Sequence, residues 1–395
     1  LRGEDATALA VRGGRTVLPS APRREGGGDH RDTQGPTEHN AGACCGALMS
    51  VSLARPSRRL TTVTLVGIML LIVAMFCGLA IGPTPISLSS IVSSLLSHCG
   101  IGHNALSPLD QTILWQIRAP RMVLGLLVGA MLAVAGGTYQ GVFRNPLADP
   151  YLLGVAAGAG LGATIALVHD GGVVNPPAWT PLLAFIGAMT AVALTWVIGG
   201  RGAYATPATL ILAGVAVAAL LTSAQTFLQQ QASAQSIARV YIWLLGSLAT
   251  SSWSSVWGVL PYVVVCAGVC VGAGRALDVM SVGEDEARAL GLPVRRVRAI
   301  VILASSLGTA AVVSVVGLIG FVGIIVPHIV RLVVGTSYRR ILPLSVLVGA
   351  SFVVFTDTIA RTVLAPSELP LGVVTAIIGA PVFVVILSLR RGVTQ

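Results

Sequence analysis

Ser281–Arg298 reads SVGEDEARALGLPVRRVR, and its reading decides the fold. Glu284, Asp285, Glu286, Arg288, Arg295, Arg296 and Arg298 crowd into this one stretch. On either side the chain is apolar: GVLPYVVVCAGVCVGAG (Gly258–Gly274) precedes it and AIVILASSLGTAAVVSVVG (Ala299–Gly317) follows. A charged side chain at the centre of a bilayer costs about 3 kcal/mol, so no lipid-facing segment holds seven of them. The island must sit in water, on the side of the membrane that tolerates arginine. Two readings stay open on the residues alone: a docking handle for another protein, or an ordinary solvated loop between two helices.

Composition carries the argument outward. Of 395 residues 54% are hydrophobic and 10% charged, with a mean hydropathy of +0.85. Soluble domains carry about 25% charged residues, so this is an all-α polytopic membrane protein. All 25 basic residues are arginine. A phosphate-binding GxxxxGK[ST] loop needs its lysine, and this chain has none. If ATP drives its function, the ATPase is a separate protein. The net charge of +10 falls on the membrane region, because residues 1–48 hold six arginines and six acids. That surplus follows the positive-inside pattern and calls for no nucleic acid. The six cysteines show no CxxC and no Cys/His spacing, so neither metal nor cofactor is expected.

Residues 1–48 have the composition of a disordered polar tail, or lie upstream of a start at Met49. The membrane region is residues 49–395, with the charged island at 281–298. Hydropathy places ten spans, at about 60–81, 122–142, 151–168, 181–198, 208–227, 256–273, 299–316, 321–334, 341–363 and 371–389. The connection 82–121 reads as polar, and VYIWLLGSL (residues 240–248) is too short to cross, so a short helix, partly buried or re-entrant, is expected there on the outer side. With both termini cytoplasmic, fifteen of the nineteen arginines from Met49 onward fall inside. The four outside are Arg118, Arg121, Arg239 and Arg361. Glycines recur at four-residue spacing in spans two and three, a pattern of close helix packing.

Several strings together resemble one family. RAPRMVLGLLVGAMLAVAGGTYQGVFRNPLADPYLLGVAAGAG (Arg118–Gly160) is similar to the second and third spans of the FecCD-type permeases. These are membrane subunits of type II ATP-binding-cassette (ABC) importers for iron-siderophores, haem and cobalamin. GEDEARALGLP (Gly283–Pro293) resembles their coupling loop, while GLIGFVGIIVPHIVRLVVG (Gly317–Gly335) and ELPLGVVTAIIGAPVFVVIL (Glu368–Leu387) resemble spans eight and ten. The resemblance implies ten helices and a second permease subunit, identical or homologous, in the bacterial inner membrane. It also implies a cytoplasmic ABC ATPase dimer below and an extracytoplasmic substrate-binding protein above. Ferric siderophore leads as cargo, with haem and cobalamin behind it. The chain itself is expected to be no enzyme.

Position by position, Gly283, Glu284, Ala287, Leu290 and Gly291 match the coupling pattern GE-x-x-A-x-x-LG. A short helix here is expected to present Ala287 and Leu290 to a groove on the ATPase, with Glu284, Glu286 and Arg288 solvated. Arg118, Arg121 and Arg361 read on their own as interfacial snorkelling. The resemblance implies that they pair with acidic residues of the binding protein.

Two intramembrane groups remain. Asp357 and Arg361 stand four apart on span nine and can pair on one helical face. His328, in VPHIVR, reads as a packing histidine rather than a metal ligand. The rival reading from another class is an ion-coupled secondary transporter with Asp357 or His328 as the proton-bearing group.

Overall fold

The chain folds because each apolar run closes its own backbone hydrogen bonds, the requirement for any segment that leaves water. The computed structural model describes residues 58–84, 86–98, 100, 106–169, 178–199 and 206–391. The polar tail 1–48, the cysteine pair Cys44–Cys45 and Arg201 lie outside the described residues. In order, the helices are α1 (Arg58–Ala80), α2 (Leu88–His98), α3 (Pro108–Thr112), α4 (Ala119–Val142), α5 (Val155–His169), α6 (Thr180–Gly199), α7 (Pro207–Gln230) and α8 (Ala234–Leu244). They continue as α9 (Trp253–Gly272), α10 (Gly274–Val282), α11 (Glu284–Ala289), α12 (Val294–Val316), α13 (Val322–Val334), α14 (Tyr338–Ala360) and α15 (Leu371–Arg391). A π-helical turn, Ile113–Arg118, joins α3 to α4.

Seven of these helical stretches are long and apolar enough to cross a membrane; α5, α13 and the part Leu371–Val385 of α15 are shorter apolar stretches. Together these ten helices fall on the ten stretches expected from hydropathy, with α5 starting four residues later and α12 five residues earlier than expected. The connection between α1 and α4, which its composition marks only as polar, carries α2, α3 and the π turn. The short helix expected near residue 240 is α8, which begins six residues earlier and stops at Leu244.

α4 is the central post, buried along almost its whole length. Its partner α14 approaches so closely that a Cβ on Gly129 would lie 2.1 Å from the Gly349 carbonyl oxygen. α5 and α6 meet in the same way at Gly158 and Gly187, where a Cβ would lie 2.2 Å from backbone oxygen. The glycines are there so that backbones can touch, which is how helices gain dispersion contact without a hydrophobic driving force. Outward faces remain apolar, with Met69 on α1, Leu220 on α7, Val265 on α9 and Ile377 on α15 all exposed.

Three helix breaks are sealed against one another. Ser247 N–H donates to Val316 O (2.8 Å), Leu371 N–H to Gly246 O (2.9 Å) and Gly372 N–H to Leu245 O (3.0 Å). Tyr151 brackets the peptide of Ile319, donating to its carbonyl at 3.0 Å and accepting from its N–H at 3.2 Å. Non-helical backbone persists at membrane depth only where protein satisfies it, and here protein does.

Candidate functional site

The charged island folds into a small unit of its own. α10 runs to Gly283, whose extended backbone turns the chain into α11. α11 has three acids in its first turn and Arg288 in its last, the order that complements a helix dipole. It ends in a Schellman motif: Leu292 N–H reaches Ala287 O (3.0 Å) and Gly291 N–H reaches Arg288 O (2.9 Å). Gly291 takes a φ of +81°, which a side chain would disfavour. Ala287 is fully buried against Met280 and Val294, with Leu292 and Val297 at the edge.

Two expectations change at this point. Ala287 is a core residue of the unit and faces inward, because a six-residue helix must pack to persist. Glu284 is half-buried and paired rather than freely solvated: it accepts from the buried Arg298 and from Arg288 (3.1 Å), with Arg144 at 3.7 Å. A buried guanidinium needs a counter-ion, and Glu284 supplies it. What points outward is Leu290 and Val282, each 76% exposed, beside Asp285, Glu286, Arg295 and Arg296.

The unit is also tied to the membrane core. Asp278 on α10 accepts from Ser337 Oγ (2.7 Å) and from the backbone N–H of Tyr338, the first residue of α14. Sequence reading passed over Asp278; its one signal was a lone acid beside the island. The loop between α4 and α5 touches the unit through Arg144. Its turn is built by Asn145 Oδ1, which accepts from Leu147 N–H (2.9 Å), and Asp149 Oδ1, which accepts from Tyr151 N–H (2.8 Å). Burial pushes the Asp149 carboxyl up to about 6.

At the opposite end three arginines converge. Arg118 donates to Leu79 O (2.7 Å), Ala80 O (3.1 Å) and Thr84 Oγ1 (3.1 Å), serving carbonyls that the end of α1 leaves open. Arg121 bridges two acids. Its Nη2 lies 2.8 Å from Asp357 Oδ1 and its Nε 3.0 Å from Oδ2, while Nη1 lies 2.8 Å from Glu368 Oε1. Arg361 donates to Gly78 O and stands 3.9 Å from Asp357.

Sequence reading put these arginines at an open outer face; the structure buries all three, at 3%, 7% and 4% exposure. The expected Asp357–Arg361 pair is present but long, and Arg121 is the principal partner. Glu368, the acid that completes the cluster, was visible only as one charge ahead of the last apolar run. His328 is buried on α13. Among the described residues no group of three His, Cys, Asp or Glu side chains could hold a metal.

Ten apolar helices packed on a buried post, with one folded charged unit at their ends, are the architecture of an ABC importer permease. The FecCD transport family matches residues 69–389, and the chain belongs to that family. The cobalamin import system permease protein BtuC of Halobacterium salinarum is 42% identical over 283 residues, covering 71% of this chain and 74% of that protein. The vitamin B12 import system permease protein BtuC of Escherichia coli O9:H4 is 36% identical over 313 residues, covering 78% and 94%. The iron(3+)-hydroxamate import system permease protein FhuG of Bacillus subtilis is 32% identical over 283 residues, covering 70% and 84%. Among solved structures, an inward-facing ABC transporter of metal-chelate type superposes with a TM-score of 0.72 at 30% identity, covering 83% of this chain and 98% of that one.

Proposed function

We propose that this chain and a second permease subunit enclose the pathway of an importer for a bulky metal chelate. A cytoplasmic ATPase dimer drives it and an extracytoplasmic binding protein loads it; both termini face the cytoplasm. The observation that carries this reading is the coupling unit. It presents Leu290 and Val282 to water, yet Ala287, the Glu284–Arg298 pair and the Asp278 cap join it rigidly to α12 and α14. An apolar side chain held outward on a stiff mount can fill a partner's groove and pass its displacement to the helices.

Ferric siderophore and corrinoid are the two leading cargoes. The 42% identity to a cobalamin permease, against 32% to a hydroxamate permease, supports placing the corrinoid first. Docking of a binding protein on Arg118, Arg121 and Arg361 takes a specific form here. Arg121 already holds Glu368, whose side chain is 34% exposed, so an incoming carboxylate has to take its place.

The carrier reading loses support from the same cluster. Both oxygens of Asp357 are engaged by Arg121, which makes the carboxylate half of a structural ion pair. The test is uptake into proteoliposomes of labelled cobalamin and of a ferric hydroxamate, with and without the ATPase. Uptake of either that requires ATP and the ATPase upholds the reading, and the preferred substrate settles the order. Uptake that persists without the ATPase and collapses with a proton ionophore refutes it.

A further inference from the structure

A pocket of about 250 Å³ opens beside the coupling unit, lined by Gln140, Arg144, Pro146, Ser281, Arg331, Thr336 and Tyr338. Two guanidinium groups and three hydroxyls line it, and no acid does. Its geometry is set by a chain of fixed contacts. Gln140 is buried and donates its amide to Gly323 O (3.1 Å), which turns Oε1 toward Arg331. Arg331 Nη2 donates to that oxygen at 2.9 Å and to Tyr338 Oη at 3.4 Å, and its guanidinium stands 5.8 Å from the Tyr338 ring. All these partners are neutral, and among the described residues Arg331 makes no ion pair.

Neighbouring acids are already spent. Glu284 serves Arg298 and Arg288 and leaves Arg144 a loose contact at 3.7 Å. Asp278 uses both oxygens on Ser337 and Tyr338. Arg144 sits at a positive φ of 48°, a backbone region that side chains rarely adopt. A half-buried cation without an anion is costly, and a planar fork beside hydroxyl donors matches the oxygens of a phosphate.

We infer that this pocket is a phosphate site, filled by the headgroup of an anionic lipid from the leaflet on the coupling side. The membrane source is favoured by its surroundings: Leu332 and Val333, next to Arg331 on α13, are exposed and apolar, and Arg339 and Arg340 lie exposed at the start of α14. Basic pockets between helix ends on the cytoplasmic face suit such headgroups. The inference rests on the orientation proposed above.

The experiment is native mass spectrometry of the permease–ATPase complex carrying phosphatidylglycerol or phosphatidylcholine. Wild type is expected to retain phosphatidylglycerol over phosphatidylcholine. Arg331→Gln should lower that retention about tenfold and Arg144→Gln about threefold, as loss of a charge-assisted bond predicts. Arg144 is largely exposed, so its variant reports binding even if Arg331→Gln unfolds. Arg239→Gln, on α8 and away from the pocket, should change nothing. Inorganic phosphate at 10 mM that displaces the lipid shows a site for the phosphate group from either source; failure to displace it, with arginine-dependent retention, assigns the site to the lipid. Equal retention in all variants overturns the inference. So does lipid held by the permease alone and expelled by the ATPase, which would give the pocket to the ATPase instead. ATP-driven uptake by the same preparation tests the permease reading separately, so a lost lipid site with intact uptake refutes the site alone.

Discussion

Arg121 and Asp357, 236 positions apart in the chain, form a buried two-pronged ion pair that clamps α4 to α14 at the end of the bundle opposite the charged unit. Glu368 takes the other edge of the same guanidinium and ties in the segment that leads to α15. Three helices therefore depend on one side chain.

Removing that side chain takes the cation from Glu368 and leaves Asp357 only the long contact to Arg361. Arg121→Met is expected to cost about 3–5 kcal/mol, read as a large drop in melting temperature in detergent. The double variant Arg121→Met/Asp357→Leu should recover part of the loss, since the buried Asp357 carboxylate is gone while the half-exposed Glu368 can turn to solvent. Melting temperatures that match for the two variants would show that the pair is not what holds the site.

Leu290→Asp separates coupling from folding. The side chain is 76% exposed, so stability should change by less than about 0.5 kcal/mol, while co-purification with the ATPase and ATP-driven uptake are lost. Ala287→Leu should act in the opposite way and destabilise the unit, because its Cβ is already enclosed by Met280 and Val294. If Leu290→Asp keeps both the complex and uptake, the outward surface lies elsewhere.

Gly291→Ala probes the end of α11. A Cβ meets nothing within 4 Å, so the cost is conformational only, about 1–2 kcal/mol for φ near +81°. Hydrogen exchange should rise locally in residues 284–292, with the membrane helices unchanged.

Asp149 makes stability depend on pH. Its carboxyl lies at about 6 in the folded protein, above its ordinary 3.8, so the folded state resists ionising it. The penalty is absent below pH 4, grows between pH 4 and 6, and is constant above. Holding the carboxyl at about 6 corresponds to a penalty of about 3 kcal/mol. Asp149→Asn keeps an oxygen for the Tyr151 N–H and removes the penalty. The variant should melt higher than wild type at pH 7.5 and level with it at pH 4; a gain that is equal at both values would rule out the carboxyl as its source.

The position and number of the membrane helices were legible from residue order alone. In lipid a backbone has no solvent to bond to, so a long apolar run has little choice but a helix, and the charges mark where it must stop. The same rule isolated Ser281–Arg298 as a unit in water and made its resemblance to a coupling loop readable. Direction and partnership were not legible. Ala287 and Leu290 look alike as apolar residues at one short helix, yet Met280 and Val294 cover the first and, among the described residues, the second stays 76% exposed. Arg118, Arg121 and Arg361 look like interfacial cations until α1, α4 and α14 come together and bury them on carbonyls and carboxylates. Burial depends on which helices pack side by side, and that is settled by contacts such as Gly129 on Gly349, more than two hundred residues apart. Apolar length and charge are properties of a segment and survive in the sequence; a counter-ion is a property of two segments, and only tertiary packing supplies it.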